Sequence, residues 1–244
     1  MKIPSNMTRR EALTWAAKAA TLGFLIPKAG LAQLNAPLLG AATRRSAGGS
    51  WTPTDEGTNL KFWYDMSLLS GSDGTLISSL TDQSGNGNTL TASGGQRPTL
   101  KLSIVNSLNV LRFDGSGNVI FSLVVSYGTA TTWNVIAVYS KPSAGGAAAN
   151  QRIMSAYGTS ADFLTGLIVS EPTNATYSPK GVLSAFTSRQ IATLGLGNEM
   201  GPLGPTGSSY FGGDICEIIG VRGTISNVSG AKTYISNKWG VTIP

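Results

Sequence analysis

Trp133-Asn134-Val135-Ile136-Ala137-Val138-Tyr139-Ser140 is the stretch on which the fold turns. At a period of two, Trp133, Val135, Ala137 and Tyr139 fall on one side, with Ile136 and Val138 on the other. Both sides are apolar from Asn134 to Tyr139, so the sequence predicts a central strand covered on each face. Outward from it, alternation recurs over 60–65, 76–82, 110–114, 119–125, 152–156, 165–169, 181–186, 190–194 and 215–222. That is about ten strands at the spacing of a sandwich or jelly roll. No run between Trp51 and Ser226 has a convincing helical period.

Composition agrees. Charged residues are only 12% of the 244, and Gly alone supplies 31, the usage of short strands joined by tight turns. Asp82-Gln83-Ser84-Gly85-Asn86-Gly87-Asn88 reads as such a turn: Asn86-Gly87 suits a tight hairpin, and Asp82 is placed to accept backbone N–H groups. Asp114-Gly115-Ser116-Gly117-Asn118 repeats that chemistry. Each loop carries one carboxylate where a calcium site usually supplies two or more, so neither is read as a metal site and no cofactor is expected. The single Cys216 can form no internal disulfide and reads as a small buried hydrophobe. Near the C-terminus the period changes. Val228, Ala231, Ile235 and Trp239 mark a short amphipathic helix, with Ser226 or Asn227 to cap it and Gly240 to end it.

The net charge of +6 invites a nucleic-acid reading, but Lys2, Arg9, Arg10, Lys18 and Lys28 face only Glu11 in residues 1–32, which therefore hold four of the six charges. The remainder has no dense basic patch for phosphates, so no nucleic acid is expected. The same segment resembles a bacterial twin-arginine export signal. Thr8-Arg9-Arg10-Glu11-Ala12-Leu13 precedes a moderately apolar stretch from Trp15 to Ile26, and Gly30-Leu31-Ala32 offers a cleavage site after Ala32. The stretch is too short and interrupted for a membrane span. The alternative is an amphipathic helix kept in the mature protein, as in a virion component. Residues 33–50 read as a flexible linker and 51–244 as the folded domain.

One ordered set of motifs supports a resemblance: Phe62-Trp63-Tyr64-Asp65, Leu80-Thr81-Asp82-Gln83-Ser84-Gly85-Asn86-Gly87-Asn88, Arg97-Pro98-Thr99, Val110-Leu111-Arg112-Phe113-Asp114-Gly115, Gly212-Gly213-Asp214-Ile215-Cys216-Glu217-Ile218-Ile219 and Tyr234-Ile235-Ser236-Asn237-Lys238-Trp239-Gly240. The chain from near Trp51 onward resembles the LamG-like, concanavalin A-like jelly-roll domains of bacterial secreted and phage proteins. Between Ser126 and Tyr210 only the strand pattern matches. The resemblance implies an all-β, antiparallel two-sheet jelly-roll sandwich with a short C-terminal helix, used mostly to bind glycans or surfaces and to build appendages, and including some glucanases and lyases. Its motifs are structural and transfer no catalytic residues.

Catalysis is not expected. Glycoside cleavage needs two carboxylates about 5 to 10 Å apart, and the nearest strand pair, Asp214 and Glu217, stands at i and i+3, which puts the side chains on opposite faces of a regular strand. The absence of histidine removes the commonest general base and zinc ligand. Sugar recognition uses exposed aromatics beside amide and carboxylate groups. Tyr157, Tyr177 and Tyr210, with Phe163 nearby, are least explained by alternation, and Asp162, Asn174 and Asn198 lie beside them. The candidate ligand-binding residues are therefore Tyr157, Asp162, Asn174, Tyr177 and Tyr210. The expectation is a non-catalytic, extracytoplasmic binding or adhesion module for carbohydrate or a surface protein. Alternatives are a structural component of a phage virion or surface layer, with the stretch from Gly195 to Gly207 as a docking loop, and a polysaccharide-active enzyme.

Overall fold

Fourteen strands and one α-helix occur among the residues that the computed structural model describes: 50–122, 127–142, 151–157, 168–171, 176–191, 193–198, 200–201, 204–205 and 209–244. One sheet contains β1 (Leu60–Asp65), β4 (Thr99–Val105), β5 (Leu108–Asp114), β7 (Tyr127–Lys141), β10 (Tyr177–Ile191) and β14 (Gly212–Arg222), in the order β10-β7-β14-β5-β4 with β1 also on β14. The other contains β2 (Ser79–Leu80), β3 (Leu90–Thr91), β6 (Ile120–Ser122), β8 (Gln151–Tyr157), β9 (Ile168–Glu171) and β11 (Thr193–Leu196), in the order β2-β3-β6-β11-β8-β9. All these pairings are antiparallel. The protein is thus an all-β sandwich with one C-terminal helix, α1 (Val228–Trp239).

The strand expected to be central is central, because each of its faces has its own core. Trp133, Val135, Ala137 and Tyr139 of β7 meet Phe62, Tyr64, Leu111, Phe113, Ile153, Leu194 and Leu196 between the two sheets. Ile136 and Val138 face outward and join Val110, Cys216, Ile219 and Val221 beneath Ala231, Ile235 and Trp239 of α1. Asn227 accepts from the Gly230 N–H at 2.8 Å to start the helix, and Gly240, in the left-handed region at φ 68°, ends it.

Four expectations need correction. The alternation over 76–82 yields only the two-residue β2, because the chain changes sheets there. Residues 73–77 first cover the free edge of β4: Leu100 N–H donates to Thr75 O at 2.8 Å, Gly74 N–H to Leu100 O at 2.9 Å and Leu102 N–H to Asp73 Oδ1 at 3.1 Å. An edge capped in this way offers no ladder to another chain. The stretches 181–186 and 190–194 are not two separate strands: the first lies wholly in β10, which runs on to Ile191, and β11 then joins the other sheet. Asn86-Gly87 does not make a two-residue hairpin. Asn86 donates its side-chain N–H to Leu60 O at 2.8 Å, and Asp82 gathers the wider loop by accepting from Trp63 N, Ser84 N, Ser84 Oγ and Asn88 N at 2.8–3.0 Å. The Gly195 to Gly207 stretch contains a small hairpin, β12 (Met200–Gly201) with β13 (Gly204–Pro205). Ser155 Oγ binds it to β8 by donating to Asn198 O and accepting from Met200 N.

Candidate functional site

β14 organises the polar groups. One of its edges pairs with β7 over its length, while the other pairs first with β5, through Gly212 to Ile215, and then with β1, through Glu217 to Val221. Between those partners lies a bulge: Ile215 faces Tyr139 and Glu217 faces Val138, leaving Cys216 as the extra residue. The bulge changes the side-chain phase. Ile215 and Ile218 both enter the inter-sheet core, so Asp214, on one side of the bulge, and Glu217, on the other, both emerge toward the helix-bearing face. The expectation that these two acids point to opposite faces is corrected for that reason.

Glu217 is fully buried and its carboxylate is surrounded by donors. Trp63 Nε1 and Tyr234 Oη donate to Oε1 at 2.7 and 2.8 Å, Trp239 Nε1 to Oε2 at 2.6 Å, and Lys238 Nζ stands 3.1 Å from Oε1. Lys238 also reaches Asp65 Oδ2 at 2.5 Å. Burial pushes the Glu217 carboxyl up, with Lys238 opposing, and it pushes the Tyr234 hydroxyl up together with the Glu217 charge. Burial likewise holds the Cys216 thiol far above its ordinary value, which makes it an inert packing residue.

Asp214 is equally buried but has a different partner. Arg112, opposite it on β5, donates from Nε at 2.6 Å and from a terminal nitrogen at 2.8 Å, a bidentate pair that raises the guanidinium's own pKa. Asp214 lines a cleft of about 460 Å³ together with Ser140 and Lys141 from the end of β7, Thr176 and Ser178 at the start of β10, and Ile104 of β4. Lys141 is buried, donates to Gln151 Oε1 at 2.9 Å, and has its pKa lowered by that burial. The cleft therefore combines a carboxylate fixed by a guanidinium, three hydroxyls and apolar wall atoms. It can hydrogen-bond a polyhydroxylated ligand in both senses. Among the described lining residues Asp214 is the only acid, and Glu217 lies beneath α1.

Of the residues singled out from sequence, Tyr177 stands in the chain between the cleft residues Thr176 and Ser178, while Tyr157, Tyr210 and Asn198 do not line the cleft. Tyr157 lies in β8, 8% exposed, packed with Val119 and Met200, so its ring is no open platform. Tyr210 is half-buried two residues before the start of β14. Tyr177 begins β10 opposite Lys141, with its side chain outside the described residues, as are Asp162, Asn174, Phe163 and the export residues Arg9, Arg10 and Ala32. Asn198 is buried. What the sequence reading missed is the pairing of Arg112 with Asp214. Its signal was a charge of each sign beside apolar strand residues: Arg112 between Leu111 and Phe113, and Asp214 before Ile215. Among the described residues no group of three or more acids or Cys could hold a metal, and no helix is long and apolar enough to cross a membrane.

An all-β sandwich with a polar cleft at the end of β7 is what fold and site define. No family model and no curated protein matches the chain. Among solved structures, an exo-β-1,3-galactanase from Phanerochaete chrysosporium with galactose aligns at 11% identity and a TM-score of 0.31, over 65% of this chain and 28% of the galactanase. A second structure of that enzyme, with β-1,3-galactotriose, aligns at 11% identity and 0.30 over the same shares. The chain thus spans less than a third of the enzyme it aligns with. The expectation of a non-catalytic module is not met by these alignments, which are to an exo-β-1,3-galactanase. At these values they hand over neither activity nor residue roles.

Proposed function

We propose that this protein is a carbohydrate-active β-sandwich that takes a saccharide chain in the cleft at Asp214. The observation that carries the reading is the fixed Arg112–Asp214 pair beside Ser140, Thr176 and Ser178 in a cleft of about 460 Å³. Arg112, its side chain 34% exposed, is locked by the buried Asp214 and loses little further entropy when it donates to a sugar oxygen, and the exposed Thr176 and Ser178 hydroxyls supply complementary donors and acceptors. Ile104, 43% exposed, offers a surface for the C–H face of a ring. Membership of the LamG-like domains rests on the motifs from Phe62 to Gly240, and an extracytoplasmic location on Arg9-Arg10 and the apolar stretch after them.

The test is a panel of polysaccharides, β-1,3-galactan among them, followed by calorimetric binding and by release of reducing ends. Binding, with or without turnover, that weakens at least tenfold in Ser178→Trp, which fills the cleft from its exposed rim, supports the proposal. A ligand whose affinity and turnover ignore Ser178→Trp sends the site elsewhere. Export is checked separately: the mature chain of the native host is expected to begin at Gln33.

A further inference from the structure

Beneath α1, away from the cleft, an amine and two carboxyls meet in a buried place. Lys238 Nζ lies 2.5 Å from Asp65 Oδ2 and 3.1 Å from Glu217 Oε1, and Asp65 and Glu217 are direct partners in the β1–β14 register. The two oxygens of Asp65 are differently occupied. Oδ1 accepts from Ser67 N at 3.0 Å and Ser67 Oγ at 2.6 Å, whereas Oδ2 meets the lysine.

The geometry points to a covalent modification: an intramolecular amide bond between Lys238 Nζ and Asp65 Cγ, formed with loss of water once the fold closes and with Glu217 carrying the protons. The carboxylate of Glu217 takes a proton from the lysine ammonium and passes it to Asp65 Oδ2, giving a neutral amine beside a neutral acid. The amine lone pair then attacks Cγ. A C–N bond forms while the carbonyl pair moves onto Oδ1, where the two Ser67 donors hold the developing charge as an oxyanion site does. Glu217 removes a second proton from the now cationic nitrogen and delivers it to Oδ2. Oδ2 departs as water, the carbonyl re-forms on Oδ1, and Glu217 is regenerated. Both protons lost by nitrogen leave in that water, so no oxidant or co-reactant is required.

The surroundings favour the step. Glu217 is fully buried and Asp65 nearly so, under Trp63, Trp239 and Tyr234, so bulk water that would hydrolyse the product or stabilise the separated ions is kept out. Holding amine and acid in contact replaces a bimolecular encounter by a unimolecular one. Burial raises the Glu217 carboxyl, which lets it hold a proton in transit. The bond would join β1 to α1 across 173 residues of chain.

Intact-mass measurement of the full chain, purified after folding, tests this. The expected mass is lighter than that of the sequence by one water, and proteolysis is expected to release a branched peptide pair joining Asp65 to Lys238. Lys238→Arg keeps the positive charge without a comparable nucleophile and is expected to show the unmodified mass, as is Glu217→Gln. Asp65→Ala, which lacks the acyl carbon, is expected to show the unmodified mass as well. A wild-type chain that carries its full sequence mass while binding α1 natively overturns the proposal. So does a water loss mapped to a succinimide at Asp114-Gly115. Circular dichroism of each variant separates failure to fold from failure to condense.

Discussion

Glu56 joins the start of the folded region to the turn before α1, and its removal should be costly in a way that can be apportioned. Its buried carboxylate accepts from Trp51 Nε1 at 2.8 Å and from Ser226 N and Oγ at 3.0 and 2.9 Å on Oε1. In Glu56→Ala the Ser226 groups, which sit at an exposed residue, turn to water, so their loss costs little. Trp51 is 3% exposed and its Nε1–H has no such recourse. A hydrogen bond to a charged acceptor contributes about 1.5–3 kcal/mol, and an orphaned buried donor costs about 1–3 kcal/mol. The expected loss for Glu56→Ala is therefore about 2–4 kcal/mol, a fall in Tm of roughly 5–15 °C for a domain of this size. Trp51→Phe removes the same bond from the other side, so the two changes should not add. Urea unfolding of the wild type, both single variants and the double variant should give a coupling energy of about 1.5 kcal/mol or more. A coupling below about 0.5 kcal/mol, with m-values unchanged, would refute the view that this bond fastens the segment.

Three further outcomes follow from close contacts elsewhere. A Cβ on Gly220 would sit 2.0 Å from Phe62 Cζ, so Gly220→Ala is expected to lose about 1–3 kcal/mol by calorimetry, and Phe62→Leu should recover part of it. Asp82→Ala leaves the N–H groups of Trp63, Ser84 and Asn88 without their acceptor, and amide exchange across residues 83–88 is expected to quicken at least tenfold. Burial lowers the Lys141 pKa, so the folded state binds fewer protons than the unfolded one between that lowered value and 10.5. Stability relative to Lys141→Met is therefore expected to rise with pH through that window and to be lowest below it, and a flat difference would contradict the assignment.

Alternation was enough to locate β1, β5, β7, β8 and β14, each of which sends apolar side chains into a core, but in β14 it missed the change of phase at Cys216. The capped helix was equally legible: Asn227, Ile235, Trp239 and Gly240 do what their types and spacing suggest. β4 was not anticipated, although Leu100, Leu102 and Ile104 alternate, because only Leu100 ends fully buried and Ser103 breaks the register at φ 54°. Long-range pairings were harder still. Nothing local says that Glu56 belongs to Ser226, Asp65 to Lys238 or Arg112 to Asp214, since sequence separations of 102 to 173 residues carry no periodicity. Of the aromatic residues chosen because they fit no strand, Tyr157 closes a small core of its own.

The deepest error concerned Asp214 and Glu217, and its cause is one residue. Counting by two from Asp214 assumes that every residue of β14 faces a partner, whereas Cys216 faces none on either edge. A bulge is the cheapest place to change neighbours, and here β14 changes from β5 to β1 across it. A buried, uncharged side chain suits that position, since Cys216 packs with Ile219 and Trp239 and needs no hydrogen bond. The consequence is functional. Because the phase slips there, one face of one strand presents Asp214 to an open cleft and Glu217 to a closed, lysine-bearing pocket under the helix. Both carboxylates are themselves fully buried, so their partners separate their chemistries: a part-exposed guanidinium at the wall of a cleft for the first, an amine and a second carboxyl for the second.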